Sequence, residues 1–338
     1  MVNNGCLNKG AVARTLAWGM AMLLTVAMPA QAEWVRVSGT AMTTAIEMEF
    51  WTEDPAVASE AGDAVLALFD RIDRQMSRYR EDSELSRVNR EAANGPVEVS
   101  DSLFTVLQQA LRISELSHGA FDISFGSIGY LYDFRARQQP SDEELAEGLA
   151  KVNYRSVVLD PSANTVRFLD EGVRLDLGGI AKGYTVDRGI DILKSFGIRH
   201  ARLSAGGDLR LLGDKRGKPW IVGIRDPRSE SRNAMVLPLT NVAVSTSGDY
   251  ERFFFDDNNE RVHHILSPAT GKPAKGVQSV TILGDDSITT DGLSTAVFVL
   301  GAVKGLEMVN RLKGIDAVII DEQRQVHYSD GLMPPERE

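Results

Sequence analysis

The 338-residue chain carries 47 Asp and Glu against 37 Lys and Arg, a formal net charge of -10. An acidic chain without basic clusters lacks the electrostatic footprint of a nucleic-acid binder. Its one cysteine, Cys6, precedes the predicted fold. Disulfides, thiol nucleophiles and thiolate metal sites are therefore excluded downstream, and any metal must be held by oxygen or histidine.

Residues 1–32 read as a secretory signal peptide. Lys9 and Arg14 give the charged start, Leu16 to Met28 the apolar run, and Ala30-Gln31-Ala32 the cleavage site. The expectation is a periplasmic protein, cut after Ala32. A lipid-anchoring cysteine would follow the apolar run, and Cys6 comes before it, so no lipoprotein is expected. Residues 33–338 then form one compact domain. No later segment is expected to be long and apolar enough to cross a membrane.

Ile46, Met48 and Phe50 alternate with Glu47 and Glu49, the pattern of a half-buried strand. Asp54-Pro55 opens a long helix with an apolar face at Val57, Ala61, Val65, Leu68, Ile72 and Met76. The polar stretch Asp82 to Asn89 predicts a loop with a short helical turn. Ser100 caps a second helix that Gly119 stops, and Ser141 with Glu144 forms a capping box for a third. Strands are expected from Val157 to Leu177, around the turn Asp160 to Asn164. Further strands fall at Ala201–Leu203 and Leu209–Leu212, then near Trp220, Met235, Val242, Glu251, Val262 and Val277. Ile288 to Leu312 predicts a helix broken at Gly301, and Ala317–Ile320 a last buried strand. Strands in runs joined by short turns argue an α+β fold with largely antiparallel sheet.

The stretch from Arg174 to Asp187 organises the rest. Val173, Leu175 and Leu177 alternate with Arg174 and Asp176, Gly178-Gly179 turns, and Ile180 starts a helical pattern. A strand entering a helix through glycines bares N–H groups that suit a phosphate. Lys182 in the first helical turn opposes the helix dipole, and an anionic ligand would remove that conflict. A plain tight turn with a solvated lysine reads equally well.

Asp291 and Thr295 are spaced to share one helix face, and a carboxylate beside a hydroxyl suits a hard cation such as Mg2+. A simple helix cap would look the same. His263 and His264 alternate along a strand, so one is expected to face a pocket and the other solvent. His118, His200 and His327 read as structural or surface residues. Tyr79, in a stretch of hydroxyls and arginines, could stack an aromatic ligand.

Taken in order, these segments resemble the ApbE family, the FAD:protein FMN transferases. The likeness runs through Ser38-Gly-Thr-Ala-Met42, Ser77-Arg-Tyr79, Gly119-Ala-Phe-Asp122 and Asp176-Leu-Gly-Gly-Ile-Ala-Lys-Gly-Tyr184 with Asp187. It continues in Gly206-Gly-Asp208, Gly248-Asp-Tyr-Glu251, His264-Ile-Leu-x-Pro-x-Thr-Gly271 and Asp291-x-x-x-Thr295. The resemblance implies a single T-fold-like ApbE domain, FAD as substrate and Mg2+ as cofactor. It implies transfer of the FMN half of FAD onto a Thr or Ser hydroxyl of a target protein, releasing AMP. The target it points to is an exported subunit of a membrane redox complex. It places Met42, Tyr79, Ala120, Phe121, Asp122, Asp176, Lys182 and Ile265 around FAD. It assigns the Gly179 carbonyl, Asp291 and Thr295 to the metal, and leaves His264 as the candidate base. Two other functions would use the same site: a Mg2+-dependent FAD pyrophosphatase and a non-catalytic periplasmic flavin-binding protein. The chain departs from the family pattern at Thr43, where Gly usually follows the Met, and at Ser267, where Asp usually precedes the Pro.

Overall fold

The computed structural model describes residues 33–229 and 231–332. The expected signal peptide, its cleavage site and Cys6 lie outside these residues.

The described chain opens on a hairpin of β1 (Glu33–Ala41) and β2 (Thr44–Thr52). Only β2 was expected. The two turn residues, Met42 and Thr43, both have positive φ, 51° and 60°. A turn of that hand matches the twist of the strands but favours Asn or Gly. A β-branched residue there carries strain on the order of 1–3 kcal/mol. Thr43→Gly is expected to raise the melting temperature by roughly 2–4 °C. A lower melting temperature would mean that the Thr43 side chain contributes more than its backbone costs.

Helix α1 (Pro55–Met76) follows, capped by the Asp54 side chain on Ala56 N, with Pro55 in its first turn. The expected loop after it holds α2 (Glu84–Glu91), capped by Ser83 and burying Leu85 and Val88. Next come β3 (Val97–Glu98), α3 (Asp101–Leu116), α4 (Gly126–Gly129) and α5 (Asp142–Leu149). The Ser100 cap and the Ser141–Glu144 capping box are both formed. Then come β4 (Val157–Asp160), β5 (Thr165–Phe168), α6 (Ala181–Ser195), β6 (Ala201–Ala205), β7 (Asp208–Leu212), β8 (Trp220–Arg225), β9 (Asn233–Leu239) and β10 (Ala243–Gly248). The chain continues with β11 (Phe253–Phe255), β12 (Arg261–His263), β13 (Val277–Gly284), α7 (Ser287–Val309), β14 (Asp316–Asp321) and β15 (Val326–Tyr328).

Eight strands form the main sheet in the order β1-β2-β6-β7-β10-β13-β14-β15. Every neighbouring pair in it is antiparallel. The expected α+β architecture with antiparallel sheet is what the chain adopts. Helix α6 lies on β6 and β7, and α7 lies on β10 and β13 and against α6. Ile46, Met48 and Phe50 of β2 meet Val186, Ile190 and Leu193 of α6 in one apolar cluster.

Two expectations are corrected. Residues 173–177 are extended, with Val173, Leu175 and Leu177 buried, but they join no sheet. Their N–H groups go to loops and side chains instead: Leu175 to Asn89 Oδ1 and Asp176 to the Ile123 carbonyl. Helix α7 is, by length and composition, long enough and apolar enough to span a membrane. It serves as a core helix, with Leu293, Ala296, Val297 and Phe298 buried against the sheet, and Gly301 (φ 78°) breaks it as expected.

Asp187 of α6 reaches across to the start of α7, accepting from Ser287 N and Ile288 N at 2.9 Å each. Burial pushes its carboxyl up to about 6, against the pull of those two N–H groups. Its folded value exceeds the unfolded one, so its contribution is present below about pH 4 and is lost as pH rises through about 6. Asp187→Asn should reduce the loss of stability across that window by roughly 1–3 kcal/mol. Superimposable stability–pH curves for the two proteins would contradict this.

Candidate active site

The Gly178-Gly179 turn delivers the chain into α6, whose N-cap, Ile180, supplies no side-chain acceptor. The acceptor comes from α7: Asp291 Oδ2 takes Gly183 N at 3.0 Å. This approach requires glycine at 183, because a Cβ there would lie 2.1 Å from the Ser287 carbonyl oxygen and 2.7 Å from Asp291 Cβ. The same crossing brings Gly179 to Thr295, where a Cβ on Gly179 would sit 3.1 Å from Thr295 Oγ1. Ser247 of β10 joins them, with its Oγ 3.3 Å from Thr295 Oγ1.

Lys182 stands between two carboxylates. Its ammonium lies 2.7 Å from Asp208 Oδ2 and 3.3 Å from Asp291 Oδ2. Burial alone would lower its pKa, but Asp208 and then Asp291 raise it above the ordinary lysine range. The conflict with the helix dipole is thus resolved inside the protein, and it no longer demands a ligand. Burial, then Asp208, pushes Asp291 up to about 7, opposed by Lys182 and the Gly183 N–H.

Asp176 is held by Gly178 N at 2.8 Å and by the Arg78 guanidinium at 3.0 Å. Arg78 also stacks over Tyr79 and Tyr130, 4.7 and 4.8 Å from their ring centroids. Tyr79 itself is 66% exposed, a flat aromatic face at the mouth of the cleft. Phe121 is buried, in the turn that begins at Gly119 (φ 84°), and also lines the cleft. The Asp122 carboxylate is already used: it accepts from Ser124 N and Oγ and from Tyr154 N. It holds the turn in place.

His264 follows β12 and is half-buried, with Nδ1 3.3 Å from the Arg252 carbonyl oxygen. A carbonyl can only accept, so Nδ1 carries the proton and Nε2 the lone pair. Burial, with Arg252 and His263 nearby, pushes its pKa down to about 3. The imidazole is therefore neutral at physiological pH. His263 faces neither the cleft nor solvent, against the expected split of the two histidines between them. It is buried, its Nε2 donating to the Ala274 carbonyl and its Nδ1 accepting from Ile265 N. His327 and His200 pair with Asp321 and Asp214 away from the cleft.

One cleft of about 390 Å³ gathers all twelve residues named from the sequence: Met42, Tyr79, Ala120, Phe121, Asp122, Asp176, Gly179, Lys182, His264, Ile265, Asp291 and Thr295. Thr43 is on its rim, and its Oγ1 accepts from Arg252. Ser267 closes the 267–272 turn through backbone groups, its carbonyl accepting from Gly271 N at 2.7 Å. Arg78, Asp208 and Arg252 were not singled out from the sequence. Asp208 lies in the Gly206-Gly-Asp208 motif and Arg78 in Ser77-Arg-Tyr79, but their ion-pair partners are distant in the chain, so no local spacing assigned them a role.

For a hard divalent cation the donor chemistry is the test. Gly179 carbonyl, Asp291 carboxylate and Thr295 hydroxyl are all oxygens, and the Gly179 backbone abuts Thr295 while Asp291 lies one turn before it on α7. Such a set fits Mg2+, which keeps several waters and leans on substrate phosphates.

The chain is similar to known proteins over most of its length. The model of the ApbE family matches residues 42–319. The chain is 32% identical over 317 residues to the FAD:protein FMN transferase of Haemophilus influenzae, covering 90% of this chain and 91% of that one. The ApbE protein of Thermotoga maritima superposes with a TM-score of 0.82 at 35% identity, over 90% of this chain and 100% of that one. The flavin transferase ApbE of Vibrio cholerae gives 0.80 at 32% identity, over 88% and 98%.

Proposed function

The chain belongs to the ApbE family, and on that premise we propose that it is an FAD:protein FMN transferase that moves the FMN half of FAD onto a Thr or Ser hydroxyl of an acceptor protein. The observation that carries this reading is the meeting, in one cleft, of an oxygen-donor triad, a half-buried lysine and a neutral histidine. The acceptor oxygen attacks the phosphorus of the FMN half. The bond from that phosphorus to the bridging oxygen breaks, and AMP leaves.

Lys182 carries a fixed positive charge at the cleft wall and attracts the pyrophosphate. The neutral His264, with its Nε2 lone pair, accepts the proton of the acceptor hydroxyl. Tyr79 and Phe121 offer aromatic faces to the flavin or adenine ring. Gly179, Asp291 and Thr295 would hold Mg2+, which supplies charge neutralisation at the phosphoryl oxygens. The acceptor is an exported subunit of a membrane redox complex, and the composition of residues 1–32 supports export of this chain to the periplasm.

Lys182→Ala is expected to weaken FAD binding about ten- to a hundredfold, the loss of a charge-assisted contact of roughly 1.5–3 kcal/mol. It should also lower stability, because Asp208 and Asp291 lose their shared counter-charge. A flavin fluorescence titration showing wild-type affinity would remove Lys182 from the binding site. The function itself is tested by incubating the protein with FAD, Mg2+ and a periplasmic extract. A fluorescent protein band is expected. Free FMN and AMP without such a band would make it a pyrophosphatase, and intact FAD a flavin-binding protein.

A further inference from the structure

Asp208 is the first residue of β7 and is 2% exposed. Its carboxylate takes the Lys182 ammonium at 2.7 Å, whereas the two Asp291 oxygens stand at 3.4 and 3.3 Å from the same ammonium. Two buried carboxylates thus share one cation unequally. The backbone fixes Asp208 on both sides: it pairs with Ala205 of β6 and with Ser245 of β10. The turn before it is as tightly held, since Thr246 N donates to the Gly207 carbonyl and a Cβ on Gly207 would lie 2.4 Å from the Thr246 carbonyl oxygen. Asp208 therefore cannot follow the lysine. The long lysine side chain must come to it.

We infer that Asp208 is a positioning residue that holds the Lys182 ammonium off Asp291, leaving Asp291 a carboxylate to offer a divalent cation. The inference rests on reading Gly179, Asp291 and Thr295 as the Mg2+ site. Among the described residues, Asp208 and Asp291 are the carboxylates paired with Lys182. Without Asp208 the ammonium has Asp291 alone, and a close buried ion pair would oppose metal entry. With Asp208 in place the three groups keep one net negative charge. The same tether keeps the ammonium at the cleft wall, where the side chain is one-quarter exposed.

The test titrates Mn2+ into the full-length protein, with and without FAD, and follows free Mn2+ by electron paramagnetic resonance. Asp208→Asn should weaken Mn2+ binding at least tenfold. The double variant Lys182→Met with Asp208→Asn removes the competing ammonium and restores the net charge, which Asp291 alone then carries and offers to the cation. At FAD concentrations that saturate each protein, it should bind Mn2+ within about threefold of wild type. Unchanged binding in Asp208→Asn would overturn the inference. So would a double variant as weak as the single one, since Asp208 would then be acting on the cation directly. Wild-type protein that binds FAD but no Mn2+ would instead overturn the metal reading on which the inference stands.

Discussion

Asp291→Asn is expected to abolish flavin transfer, by about a thousandfold or more, while the protein stays folded. The substitution keeps the shape and leaves an amide oxygen for Gly183 N–H. It also leaves Lys182 paired with Asp208 at 2.7 Å, so no buried charge loses its only partner. Stability should hold or rise, since one of two carboxylates that burial pushes against is gone. Activity should not hold. Asp291 supplies the only full negative charge of the oxygen triad, and metal stabilisation of a transferring phosphoryl group is worth several kcal/mol. Thr295→Val removes a neutral oxygen and should slow transfer less, by about tenfold. Both are read as transfer rate against Mg2+ concentration, beside a thermal melt. Wild-type turnover of Asp291→Asn at limiting Mg2+, or transfer that survives EDTA, would leave Asp291 only its structural role as acceptor for Gly183 N of α6.

The second large effect is expected at His264. Gln in its place can still donate to the Arg252 carbonyl but has no basic nitrogen. Loss of a positioned base costs about a hundred- to ten-thousandfold in rate. The fall should lie in kcat, with FAD affinity within a few fold of wild type. Because burial and neighbouring cations hold the free imidazole neutral down to about pH 3, kcat/KM should show no acid limb from His264 near its ordinary value of about 6.5. A His264→Gln variant with undiminished kcat would move the base elsewhere in the cleft.

What the sequence made legible follows from which signals are local. Asp54, Ser100 and Ser141 cap helices through neighbours two or three residues away, and each cap is formed. Gly301 breaks α7 because its own φ is positive. Strand β1 lies at the sheet edge, where Val35, Val37, Gly39 and Ala41 alternate with exposed residues but are only half-buried, and the small Gly39 and Ala41 leave the apolar signal weak. Residues 173–177 alternate like a strand because alternate side chains are buried, but burial alone does not supply a ladder partner. The site divides the same way. Gly178-Gly179 and the Asp291–Thr295 pair are visible as short-range patterns, and their joining came only through the family resemblance. The Arg78–Asp176 and Lys182–Asp208 pairs depend on sheet order and on the α6–α7 crossing, which no local spacing encodes. The positive φ at Thr43 likewise appears only once the hairpin register is known.

Transfer of a flavin nucleotide to a protein hydroxyl can be read by intact-mass and peptide mass spectrometry. A periplasmic extract is incubated with the protein, FAD and Mg2+, and released AMP is quantified in parallel. The expected result is an acceptor carrying FMN through a phosphoester on Thr or Ser, with one AMP released per modified acceptor. Stoichiometric FMN and AMP in solution, with every acceptor peptide unmodified, would contradict it.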